Sequence, residues 1–86
     1  MKTEVVSLAT IHQFIVEELL EDAFASIEPT EDLLLSGFLD SMNVLRLVAY
    51  LEEKSSLSIP PEDVTLEHFG TLENIHTYIN SDLLNR

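Results

Sequence analysis

The tripeptide Asp40-Ser41-Met42 puts a serine hydroxyl where a loop gives way to an amphipathic stretch, in the run Leu33-Leu34-Leu35-Ser36-Gly37-Phe38-Leu39-Asp40-Ser41-Met42-Asn43-Val44-Leu45. No catalytic base is visible beside it, so the chemistry is that of a hydroxyl offered to another enzyme rather than of a nucleophile working alone. A helix start suits such a modification. Its unpaired backbone amides and the positive end of its dipole tolerate a phosphodiester on Ser41. Asp40 would repel that phosphate and therefore needs another role, such as contact with a basic or metal-bearing modifying enzyme. The plain alternative makes Ser41 a helix N-cap and nothing more.

The other residues able to do chemistry do not assemble into a site. His12, His68 and His76 include no pair at i and i+4 on one helix, and the chain has no cysteine, so no metal site is expected. His68 is expected to pack, with a place at a pocket entrance as the alternative, and Tyr50 to pack between helices. The acidic runs Glu17-Glu18, Glu21-Asp22 and Glu31-Asp32 lack calcium-loop spacing and read as solvated faces. With no acid–base pair, no nucleophile beside a base and no glycine-rich phosphate loop, an enzyme is the least favoured class.

Composition bounds the rest. A chain of 86 residues makes one domain, taken as 1–86, and buries only about 60–65% of its unfolded surface, so function belongs on the exterior. Its 45% hydrophobic content and mean hydropathy of +0.15 place it among folded rather than disordered chains. Without cysteine, any thiol must be imported. Sixteen acidic residues face four basic ones (Lys2, Arg46, Lys54, Arg86), a formal net charge of −12 that repels nucleic acid and anionic lipid and favours basic protein partners. No signal-like segment and no apolar run of ~18 residues is present, which predicts a soluble, cytoplasmic protein.

The elements that must position Ser41 follow from periodicity. A first helix is expected over Val5 to Phe24, on the stripe Val5, Leu8, Ile11, Ile15 and Leu19 widened by Phe14 and Leu20. Thr10-Ile11-His12-Gln13 fits a capping box, but a start near Thr3-Glu4 is preferred. A long, ordered loop covers Ala25 to Asp40, its apolar residues packing across the helices and Gly37 supplying a turn. The second helix runs from about Ser41 to Lys54 on Val44, Leu47, Val48 and Leu51. Pro60-Pro61 enforces an extended link anchored by Ile59 and Val64. A short helix at Thr65 to His68 ends at Gly70. Thr71 then caps a last helix with Leu72, Ile75, Tyr78, Ile79 and Leu83 inward. The expected fold is all-α, a small bundle of three main helices plus one short helix.

Gly37-Phe38-Leu39-Asp40-Ser41-Met42, followed by Val44, Leu45, Leu47, Val48, Leu51, Glu52 and Glu53, resembles the acyl carrier protein signature around the phosphopantetheine-bearing serine. The likeness extends through Ile59-Pro60-Pro61-Glu62-Asp63-Val64 and Phe69-Gly70-Thr71-Leu72-Glu73-Asn74-Ile75, nearly the whole chain. It implies that a phosphopantetheinyl transferase moves 4'-phosphopantetheine from coenzyme A to Ser41, with Asp40 recognised by that transferase. The arm's thiol would then hold an acyl or aminoacyl thioester for partner enzymes in lipid metabolism, fatty acid biosynthesis or a specialised pathway.

Once the core stripe of the second helix faces inward, Met42, Leu45, Ala49 and Glu52 share a neighbouring face. The resemblance makes this the partner-docking surface: Met42 and Leu45 would enter apolar pockets, and Glu52 and Glu53 would meet basic residues. Asn43 and Arg46 stand where housekeeping fatty-acid carriers usually have acidic residues, which suggests a specialised carrier with its own activating ligase or acyltransferase. Met42 is also similar to the residue after the serine in D-alanyl carriers, and an aminoacyl or peptidyl carrier is the alternative. From another class, an unmodified acidic helical adaptor remains the runner-up. A carrier that docks many partners is expected to be a monomer.

Overall fold

The computed structural model describes residues 4–22 and 24–85. Among them all regular structure is helical. Helix α1 (Leu8–Phe14) passes without a break into a π-helical turn, Ile15–Leu19. It starts later than the Thr3-Glu4 reading placed it and one turn before the Thr10 box: Ser7 is the N-cap, its Oγ accepting from Thr10 N–H at 3.1 Å. The reason lies far along the chain. Asn80 Oδ1 accepts from the N–H groups of Val5 and Val6, and its Nδ2 donates to Val6 O, so this segment is strapped to the last helix instead of extending the first. Thr3 itself lies outside the described residues.

The first helix also stops at Leu19 and not at Phe24. Its wide final turn buries Ile15, Val16 and Leu19 together, Glu21 turns into the left-handed region at φ 54°, and Phe24 is 98% exposed. The loop beyond is fastened at intervals. Ile27 N–H donates to His12 Nε2 at 3.1 Å, Leu33 N–H to Gly70 O at 2.7 Å, and Glu73 N–H to Pro29 O at 3.0 Å. Ile27, Leu33 and Leu39 are buried by it, and Gly37 takes φ 86°.

Helix α2 (Ser41–Ser55) buries Val44, Leu47 and Leu51, with Val48 half-buried and Lys54 in the last turn, where the dipole is negative. Tyr50 stacks on Phe14 with ring centroids 3.9 Å apart, locking α1 against α2. The link after Pro60 is not wholly extended: Pro61–Asp63 makes one 3₁₀ turn. Helix α3 (Leu66–Phe69) is capped by Thr65, and α4 (Leu72–Thr77) is capped by Thr71 and runs into a second π turn, Tyr78–Asp82. The core unites α1, the loop, α2, α3 and α4 around Ile11, Ile15, Leu33, Leu47, Leu51, Phe69, Ile75 and Tyr78. Three main helices and one short one match the expected bundle.

Candidate functional site

Ser41 is the first residue of α2, and Asp40, not Ser41, is its N-cap. The Asp40 side chain accepts from Asn43 N–H at 2.8 Å and its carbonyl from Val44 N–H at 2.9 Å. Capping therefore does not consume the Ser41 hydroxyl, which is exposed. The plain N-cap reading of Ser41 is overturned, because aspartate caps as well as serine and stands one residue earlier. Sequence reasoning missed this role for Asp40.

A cleft of about 440 Å³ opens beside Ser41. Leu34 and Leu39 from the loop and Val44 and Leu45 from α2 line one side, while Val64, Leu66 and Phe69 close the other. The lining is apolar except at the mouth, where Asp40, Ser41 and Thr65 stand. A flexible chain fixed at Ser41 would have apolar surface within reach and a helix N-terminus beside its first atoms. The contribution of Val64 and Leu66 was not legible in the sequence, since it depends on how α3 leans toward α2.

The expected docking face is largely open. Met42 and Leu45 are 68% and 64% exposed, and Arg46, Ala49 and Glu53 are exposed beside them, with Asn43 half-buried. Glu52 departs from its expected use. It is half-buried and its Oε2 accepts from Ile59 N–H at 2.8 Å, so it braces the link after α2 instead of standing free for a partner. Two further leucines that sequence reasoning left out are exposed, Leu35 in the loop and Leu66 on α3, the latter lining the cleft.

The histidines are scattered. Among the described residues no group of three histidines, cysteines or carboxylates could hold a metal ion. His68 does not line the cleft; it packs on Tyr78 at 4.5 Å between ring centroids and its Nδ1–H donates to Asp63 O at 2.9 Å. His76 pairs with Glu4.

The family model described as a phosphopantetheine attachment site matches residues 13–79, from α1 through the cleft to the second π turn. The chain belongs to this phosphopantetheine-attachment family. It is thus a phosphopantetheine-dependent carrier, a non-catalytic module that other enzymes modify and load. The residues at the cleft fit that group: a free hydroxyl at a helix start and an apolar trough beside it. When attached, the group supplies a thiol that holds cargo as a thioester, which this cysteine-free chain cannot provide. Membership implies dealings with a phosphopantetheinyl transferase and with acyl-processing enzymes.

A solved chain from a structure described as "Crystal structure of FAD-dependent dehydrogenase" is similar, with 31% identity and a TM-score of 0.71 over 78% of this chain and 94% of that one. No curated protein matches. No helix among the described residues is long and apolar enough to cross a membrane.

Proposed function

We propose that Ser41 is the attachment residue and that this chain carries acyl or aminoacyl groups for a specialised set of enzymes. One observation carries the assignment: Ser41 is exposed at the head of α2, is spared from capping by Asp40, and stands at the mouth of the apolar cleft. Asp40 is proposed as a contact for the transferase as well as a cap. Met42, Leu45, Arg46, Ala49 and Glu53, with Asn43 at their edge, form the proposed docking face. Its apolar anchors and its guanidinium favour partners with apolar pockets and a carboxylate opposite Arg46.

The similar solved chain supports a narrower reading of one client. Its alignment takes in 94% of that chain but 78% of this one, so that chain is shorter than this one and too small to be a flavin-binding fold by itself. A carrier-sized chain in a structure described as an FAD-dependent dehydrogenase favours a flavin enzyme that oxidises cargo on the arm, the hydride passing to the flavin and a proton to a base.

Co-expression with a broad-specificity phosphopantetheinyl transferase tests the assignment by intact mass. The wild type should gain one phosphopantetheinyl group and Ser41→Ala none. Asp40→Asn keeps the capping oxygen, so it should retain its melting temperature while loading about tenfold more slowly. A mass gain that persists in Ser41→Ala sinks the assignment.

A further inference from the structure

We infer that the buried hydrogen bond between Tyr78 and Asp63 is a positioning device that sets how widely the cleft beside Ser41 opens. The cleft has a tethered side and a free side. At its inner end, Leu33 N–H donates to Gly70 O at 2.7 Å, tying the loop wall to the end of α3. At its outer end, Val64, Thr65 and Leu66 have no such bond to the loop; Leu66 is 51% exposed. Their position is set from behind.

Tyr78 OH, on a fully buried ring, donates to Asp63 Oδ2 at 2.6 Å. Asp63 O in turn accepts from Thr65 N–H at 2.9 Å and from His68 Nδ1–H at 2.9 Å, and the His68 ring lies against Tyr78. Tyr78 thus holds, through one residue, both the backbone that leads into α3 and the side chain that packs α3 onto α4. A hydrogen bond from a buried hydroxyl to a carboxylate is among the stronger ones, because neither group has water as an alternative partner. Releasing it leaves a four-residue helix held chiefly by one buried side chain, Phe69, so its N-terminal turn loosens first. The Tyr78 ring also lies against Phe69, a wall of the cleft, at 5.7 Å between ring centroids, so a change that keeps the ring and removes only the hydroxyl isolates the hydrogen bond.

The inference rests on the assignment of Ser41 only where a loaded arm is used. Amide hydrogen exchange on the unmodified chain tests the device itself. Tyr78→Phe, which keeps the ring packing, should speed exchange at Thr65, His68 and Phe69 by about tenfold or more, with Ile15 in α1 unchanged. Asp63→Ala should do the same, and the double variant should add little to the larger single effect, because both remove one bond. A uniform rise across all helices, or effects that multiply in the double variant, would overturn the device. On the loaded protein, confirmed by intact mass, hydroxylamine should release a medium-chain acyl group several-fold faster from Tyr78→Phe than from wild type. Equal release would overturn the control of access. Failure to load at all would instead strike the Ser41 assignment and leave the exchange result to decide the device.

Discussion

On the proposed assignment, Asp40 and Ser41 divide two tasks: the aspartate caps the helix and the serine hydroxyl stays available for attachment. A serine whose hydroxyl accepted the Asn43 amide would be a poorer acceptor of a transferred group, whereas the aspartate carboxylate takes that amide and leaves the serine to solvent. Five positions beyond Ser41 along the helix, Arg46 brings the opposite charge to an otherwise acidic chain. It should discriminate among clients: Arg46→Glu is expected to raise loading by a general fatty-acid malonyl transferase several-fold and to lower loading by a dedicated neighbouring ligase. Measuring both rates on wild type and variant decides it, and an unchanged preference in both ends the idea. At this scale the sequence was informative about type and spacing but not about commitment. That Glu52 is engaged by Ile59 N–H, seven residues away, cannot be read from a helical face, which ranks residues by direction and not by partner.

The helices show where periodicity is enough and where it fails. The stripe of α2 and the Thr71-capped start of α4 follow from local pattern, because both are set by contacts within a few residues. The ends of the first helix do not. Its start is decided by Asn80, more than seventy positions away, and its end by a π turn that brings Val16 inward beside Ile15 and Leu19. The joint between α3 and α4 is tight for a similar reason. A Cβ on Gly70 would sit 2.4 Å from Leu66 O, so even the smallest side chain requires backbone movement. Gly70→Ala should cost about 1–3 kcal/mol by chemical denaturation. It should also speed amide exchange at Leu33, whose N–H is bonded to Gly70 O; a variant as stable as wild type would mean that α3 shifts freely.

The molecule as a whole holds a formal charge of −12 on a body with a Cα radius of gyration of 11.9 Å, comparable to the Debye length of about 10 Å at 0.1 M salt. On a body of 32 × 27 × 22 Å its like charges therefore repel mainly between neighbours at that salt, and across the whole fold only at lower salt. Raising sodium chloride from about 10 mM to 1 M should increase the melting temperature by about 5 °C, from screening worth ~1 kcal/mol. A flat or falling melting curve would show that repulsion is not a significant load on the fold. The sequence by itself determined the helical class, the place of Ser41 at a helix head and the need for an imported thiol, since these depend on periodicity, on capping chemistry and on the absence of cysteine. Only the tertiary structure decided which residue caps, which acid is already engaged and where the cleft lies. Those follow from pairs such as Asn80 with Val6 and Tyr78 with Asp63, whose meeting is fixed by packing of distant segments and leaves no local pattern along the chain.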